Sequence, residues 1–281
     1  MVINGLLPFV VFLRVSSAIL WIFLTGIVQA QSFEVENTDR AIVSNETRTQ
    51  SDRVVVTSLK GLISKNALEK LKQSIAQVRG DPIPAGLIIL LDSQGGDGVA
   101  AMQIGRLLRA ANAHIFVTGQ CSSACIFVLA GGVVRVAPSY SVGIHRGRIT
   151  LSDANAKVIQ ELDTNESATA KSALQAFERQ APLYLADMGM SSALFPLMQS
   201  HQMKGVYRLS ASEIAKTGLV GFDKAYLRGR AGLYMKAPYQ MDEDELEKRT
   251  MRVASRCSGF EKQRLEFVYC YKETLRDPFV N

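Results

Sequence analysis

The chain has 281 residues, 47% of them hydrophobic and 21% charged, which is ordinary for a globular protein and ample for a real core. Its formal net charge of +6 is spread along the sequence, with no basic stripe interleaved with aromatics, so nucleic-acid binding is not expected. Four cysteines do not make a disulfide scaffold, but their even number fits an oxidising compartment. Cys121 and Cys125 have no second pair spaced like them and the three histidines are scattered, so neither a metal site nor a cofactor is implied.

Residues 1–30 read as an export signal. Arg14 precedes an apolar run from Val15 to Val28, and Val28 and Ala30 place small residues for a cut after Ala30. That run is shorter than the about 20 residues a bilayer span needs. Leu6 to Leu13 is apolar too, so an uncleaved membrane anchor over residues 3–28 is the alternative. Either way the body of the protein is expected outside the cytoplasm, periplasmic or secreted. Residues 31–52 are polar and aperiodic and read as a flexible linker. Asn45-Glu46-Thr47 and Asn165-Glu166-Ser167 match a glycosylation acceptor, a motif common by chance.

From residue 53 strands and helices alternate. Val54 to Leu59 predicts a strand, and Ser64 caps a helix over 65–78 with Leu68, Leu71, Ile75 and Val78 on one face. Leu87 to Leu91 is apolar without alternation, as in a strand buried on both sides. A helix over 98–111, a strand over 114–118, a helix over 123–130 and strands over 133–136 and 141–145 come next. The pattern predicts an α/β fold with a mainly parallel sheet. Residues 152–187 are rich in Ala, Glu, Lys and Gln and read as helical, broken at Asp187-Met188-Gly189-Met190; Ser192 to Ser200 resumes a short helix. Domain boundaries are drawn at 53–228 for the main unit and 229–281 for a C-terminal helical extension. Helices are expected there over Asp242–Ser255 and Phe260–Leu275, with Cys257 and Cys270 as a candidate disulfide.

The stretch Gly119-Gln120-Cys121-Ser122-Ser123-Ala124-Cys125 lies between a strand and a buried helix, where a serine can meet free backbone N–H groups. Upstream stands Ser93-Gln94-Gly95-Gly96, downstream Gly143-Ile144-His145. A glycine pair able to aim N–H donors, a serine and a histidine are the parts acyl transfer needs.

Four segments, Leu91 to Gly96, Gly119 to Ala124, Ala137 to His145 and Leu209 to Val220, succeed one another over residues 54–223. In that order they resemble the Clp-type serine protease and signal peptide peptidase group of the crotonase-like superfamily, and within it exported members. The resemblance implies a crotonase-like (ClpP-like) fold of repeated β-β-α units, a peptide or protein substrate and a homo-oligomer built through the 152–187 region. It puts the nucleophile at Ser123, the base at His145, and the oxyanion hole on the N–H groups of Gly96 and Ala124.

Each residue has a plainer reading. Ser123 would cap a helix, with Ser122 its competitor in register; His145 would be a core histidine; Gly95-Gly96 would turn the chain into a helix capped by Asp97. His114 and His201 read as structural, and the methionines 188, 190, 198 and 203 as packing. Cys121 and Cys125 are either a disulfide that stiffens the turn or two small buried thiols. The orienting acid of the family falls on Val206, which has no carboxylate. Asp187, Glu213 or a backbone carbonyl could replace it, the site could be a dyad, or catalysis could be lost, leaving a silent binding or assembly module.

Overall fold

The structure, a computed structural model, describes residues 34–41, 53–79, 86–152, 158–201, 205–234, 242–257, 266, 269–271 and 273–274. The expected signal segment 1–30 and the Asn45 triplet lie outside the described residues. Among the described residues no helix is long and apolar enough to cross a membrane.

Strand β1 (Glu34–Ala41) runs antiparallel to β2 (Arg53–Ile63), which is followed by α1 (Lys65–Arg79) and β3 (Gly86–Gly96). Then come α2 (Gly98–Ala110), β4 (His114–Ser122), the one-and-a-half-turn α3 (Cys125–Ala130), β5 (Val134–Val136) and β6 (Val142–Ile144). The hairpin β7 (Thr150–Ser152) and β8 (Val158–Glu161) leads to α4 (Ala168–Asp187), α5 (Leu194–Ser200), β9 (Tyr207–Arg208), α6 (Ala211–Thr217) and β10 (Gly221–Phe222). Helices α7 (Lys224–Tyr234) and α8 (Glu243–Arg256) close the described chain, with helical residues again at 269–271 and 273–274.

The main sheet has strand order β1-β2-β3-β4-β5-β10, with β6 paired to the far end of β4 and β9 paired to β6. Strands β2 to β5 are mutually parallel and β6 is parallel to β4, so the fold is α/β with a mainly parallel sheet. Strand alternation divides the apolar side chains between two cores. Leu87, Ile89, Leu91, Ile115 and Val117 face α1 to α6, while Ile88, Leu90 and Phe116 face Val253, Cys257 and Tyr271 from the C-terminal region.

Four expectations need correction. The segment read as a linker over 31–52 contributes β1, which pairs along its whole length with β2. The helix read over 123–130 begins at Cys125, because Ser123 has φ +57°, a left-handed value that α-helix cannot contain. The region read as helical over 152–187 opens with β7 and β8, and the helix starts only after Ser167, whose side chain accepts from the Ala170 N–H. There Leu151 and Ile159 supply strand-forming side chains that composition averages away. Finally, the boundary drawn at 228/229 falls inside α7, and the C-terminal helices share a core with the sheet rather than forming an appendage. The Cys257–Cys270 disulfide ties this layer together, with its Cα atoms 5.7 Å apart. His114 fastens it to β4: Nε2 lies 2.5 Å from the Tyr226 hydroxyl and Nδ1 is hydrogen-bonded to that of Tyr271.

Two side chains gather carbonyls that the elements leave over. Arg109 donates to the carbonyls of Ala130, Gly131 and Met188 and pairs with Asp223 at 2.6 Å. Tyr184, fully buried on α4, donates to the Phe127 carbonyl of α3 at 2.5 Å, and burial pushes its phenol pKa up. Tyr184→Phe removes the donor that α4 gives that carbonyl in the core, a loss of about 1–3 kcal/mol. Thermal unfolding should then fall by about 2–4 °C for each kcal/mol. An unchanged melting temperature would mean that the hydroxyl contributes nothing to α3–α4 packing.

Candidate active site

The end of β3 is shaped by Ser93, which is 1% exposed. Its Oγ donates to the Gly61 carbonyl at 2.6 Å and accepts the Gly95 N–H at 3.0 Å. Gly95 then takes φ +109° and Gly96 φ +140°, conformations that L side chains rarely adopt. Asp97 caps α2, accepting from the N–H groups of Val99 at 2.8 Å and Ala100 at 3.0 Å, so its carboxylate belongs to the helix.

Beside it β4 changes register: Leu91 faces Val117, but Ser93 faces Cys121, leaving extra residues on β4. The Asp92 carboxylate occupies this bulge, accepting the Gln120 N–H at 2.9 Å. A Cβ on Gly119 would lie 2.4 Å from the Asp92 Cγ, so only glycine lets the carboxylate in. Such a bulge bends a strand and re-aims the residues beyond it. Here it carries the end of β4 away from β5 and onto β6, where Cys121 pairs with Val142 and Ser122 with Gly143.

At this point the chain turns. Ser123 holds φ +57°, and its N–H donates to the Gly143 carbonyl at 2.9 Å. Gly95 lies against it: a Cβ there would be 2.6 Å from the Ser123 Cβ and 3.1 Å from the Ala124 nitrogen. The Cys121–Cys125 disulfide spans the turn, with Cα atoms 5.2 Å apart. Ser123 does not cap α3; that position is held by Ala124, without a side-chain bond. Among the described residues neither the Ser123 hydroxyl nor the Ala124 N–H makes a hydrogen bond. Ser122, the competitor in register, is 2% exposed and its Oγ is buried without a partner.

His145 comes directly after β6, two residues beyond Gly143. Val142 and Ile144 point into the core, and His145 follows them half-buried at the end of the strand. Its Nδ1 lies 2.6 Å from the Arg146 carbonyl oxygen, which places the proton on Nδ1 and leaves Nε2 as the acceptor. The structure therefore brings Gly95, Ser123, Ala124 and Gly143 into contact, and the imidazole follows the last residue of the adjoining strand. No hydrogen bond joins Ser123 to His145.

Strand β9 lies alongside β6: Gly143 pairs with Arg208 and Ile144 with Tyr207, and β9 is preceded by Val206. Its Cγ1 would lie 2.2 Å from a Cβ on Gly143 and the Ser122 Oγ 2.9 Å from the same point, so valine methyl and orphan hydroxyl share one space. Neither candidate acid substitutes. Asp187 pairs with Arg106 at 3.1 Å, and Glu213 closes the capping box of α6 with Ser210. The Glu213 carboxylate accepts from the Ser210 hydroxyl at 2.7 Å, the Ser210 N–H at 2.8 Å and the Tyr207 hydroxyl at 2.9 Å. Those bonds, the Ser210 hydroxyl first, hold its pKa below the ordinary glutamate value, while the same carboxylate raises that of Tyr207. His201, read as structural, stacks on Tyr207 with ring centroids 4.1 Å apart. Among the described residues no group of three or more His, Cys, Asp or Glu side chains is placed to hold a metal ion.

Two contributors are hidden from sequence reasoning. A backbone carbonyl stands among the expected orienters of His145, but no residue type announces that it is the one of Arg146. Of the glycine pair, it is Gly95 that makes the close approach to the turn, while a Cβ on Gly96 would strike the Ile63 carbonyl of β2 at 2.2 Å.

No family model matches the chain, nor does any curated protein. Among solved structures, a mutant of the membrane-bound stomatin-specific protease 1510-N is similar, at 18% identity and a TM-score of 0.41, over 63% of this chain and 83% of that one. At that distance only the geometry of this chain bears on its chemistry.

Two outcomes test the geometry. Val206→Asp puts a carboxylate where the resemblance places the orienting acid, beside the Ser122 hydroxyl. Reaction of Ser123 with a fluorophosphonate should quicken by about ten-fold or more, on the scale of general-base effects, and Ser122→Ala should reduce that gain. A rate no faster than the parent's would reject position 206 as the place of the orienting acid. For Glu213, whose folded pKa is depressed, the stabilising contribution is present above the ordinary glutamate value and is lost as pH falls through the lowered one. Glu213→Gln has no such loss, so its melting temperature should decline less steeply on the acid side. Parallel acid limbs would contradict this.

Proposed function

We propose that the chain is an exported serine hydrolase that cleaves peptide bonds. The observation that carries the reading is the conjunction at the turn: a Ser123 hydroxyl and an Ala124 N–H that make no hydrogen bond among the described residues, with the Gly95 backbone across from both. Two disulfides and the apolar N-terminal segment favour an oxidising compartment reached by export.

In this mechanism the Ser123 Oγ attacks the substrate carbonyl carbon while His145 Nε2 takes the hydroxyl proton. The Arg146 carbonyl keeps the other proton on Nδ1, which leaves the Nε2 lone pair free to do so. The oxygen that becomes negative is received by the Ala124 N–H and by the Gly96 N–H. Collapse of the tetrahedral adduct returns the proton from Nε2 to the leaving amine. Water then attacks the acyl-enzyme with the same base and restores the serine. The Ser123–His145 hydrogen bond is closed by side-chain rotation, as happens in many active sites only when substrate is bound.

A second reading, a silent binding or assembly module, is favoured by Val206, a residue without a carboxylate, at the position where the resemblance places the orienting acid. One experiment separates them. A fluorophosphonate should label the parent, with labelling and peptide hydrolysis falling by about 10³-fold or more in Ser123→Ala and in His145→Ala. A folded parent that never reacts would support the silent module.

A further inference from the structure

We propose that the Cys121–Cys125 disulfide is a positioning element that holds the backbone of Ser123 in its left-handed conformation. The inference builds on Ser123 being the reactive residue, but its physical core concerns the turn itself. The bond joins the penultimate residue of β4 to the first residue of α3, so it closes a ring of five residues with Ser123 at the centre. Both cysteines are fully buried in the main core, and neither has room to shift without disturbing it.

The turn needs such a tie. A residue with a Cβ at φ +57° is disfavoured relative to its helical or extended alternatives. On the β6 side it is held by one hydrogen bond, Ser123 N–H to the Gly143 carbonyl, and on the helix side by Ile126 N–H to the Ser123 carbonyl at 3.2 Å. Ala124 offers no side-chain cap. Opening the disulfide lets β4 and α3 draw apart, and the simplest relaxation is for Ser123 to rejoin the helix. That rotation would carry its hydroxyl away from Gly95 and turn the Ala124 N–H with it. The other disulfide, Cys257–Cys270, lies in the C-terminal layer and touches nothing at the turn, so it is an internal control.

The decisive experiment is a cycle read by thermal unfolding, because it does not depend on activity. Glycine accepts a left-handed backbone without strain, so Ser123→Gly should raise the melting temperature of the disulfide-bonded chain by about 2–4 °C. In a C121A/C125A background the turn has already relaxed, and the same substitution should bring no gain. In a C257A/C270A background the gain should persist. Equal gains in all three backgrounds would overturn the proposal. Should C121A/C125A fail to fold, amide exchange at Ser123 and Ile126 in the C257A/C270A chain replaces it. A trialkylphosphine reduces the remaining bond, taking up oxygen from water as the sulfurs gain two electrons and two protons. Exchange at both amides should quicken by about ten-fold or more, and unchanged protection would overturn the proposal equally.

The functional arm is the fluorophosphonate rate. In C121A/C125A the maximal inactivation rate should fall by about ten-fold or more, with half-saturation unchanged, whereas C257A/C270A should keep the parent rate. Coupling in the stability cycle with a parent that never reacts would leave the turn inference standing and reject the hydrolase. Labelling at parental rates in C121A/C125A would reject the positioning role and leave the hydrolase.

Discussion

Three parallel strands come together at Ser122–Ala124, closer than ordinary side chains would permit, and everything in the site depends on that approach. On one flank Gly95 meets the serine where any Cβ would lie 2.6 Å from the Ser123 Cβ. On the other Gly143 leaves room that a Cβ would dispute with Val206 and Ser122. Between them the N–H of Ser123 is committed to β6, while the next N–H makes no hydrogen bond among the described residues. The bulge filled by Asp92 is the structural cause, since it detaches β4 from β5 and delivers its end to β6. The carboxylate, the glycine at 119 and the two flanking glycines thus act together: the sheet is bent so that a strand can end in a serine.

The carboxylates around the site are each engaged elsewhere. Asp92 is engaged in the bulge, Asp97 in a helix cap, Asp187 with Arg106 and Glu213 with Ser210 and Tyr207. What orients the imidazole is a main-chain oxygen. A carbonyl can fix the tautomer as a carboxylate does, but it carries no net charge to stabilise the imidazolium formed when the serine gives up its proton. Two unit charges 4 Å apart at an effective dielectric near 20 attract by about 4 kcal/mol. Forgoing even half of that slows the chemical step by roughly 30-fold. In the hydrolase proposed above, a Ser–His pair held by a carbonyl would therefore have to rely on positioning more than on charge.

How far the sequence discloses this depends on the physical origin of each feature. The apolar runs Leu87–Leu91 and Ile115–Val117 are legible as buried strands because both faces of the sheet are covered, and covered faces leave no polar alternation. The glycine pair, the serine turn and the histidine are legible because residue type constrains their chemistry. Their register is less so: periodicity starts the helix at Ser123 because it does not report a single left-handed residue. The β7–β8 hairpin escapes a sequence reading because its strands are three and four residues long, too short for alternation to emerge from helix-forming neighbours. The C-terminal layer reads as an appendage because its partners, Val56, Ile88, Leu90 and Phe116, lie far away in sequence. Long-range pairing of that kind has no local signature.

The serine itself bears on the choice between a working site and an idle one. A turn of this shape would form more readily with glycine, which has no Cβ to oppose φ +57°. It would also pack more easily, because the Ser123 Cβ is the atom that Gly95 must make way for. What serine adds over glycine is the hydroxyl, and that hydroxyl has no hydrogen-bonding partner among the described residues to justify it structurally. The same holds for the Ala124 N–H, which a side-chain cap at the start of α3 could have satisfied. A fold using this segment only as scaffold gains nothing from a strained residue with an unbonded hydroxyl beside an unbonded donor. A fold that presents a carbonyl to them requires both.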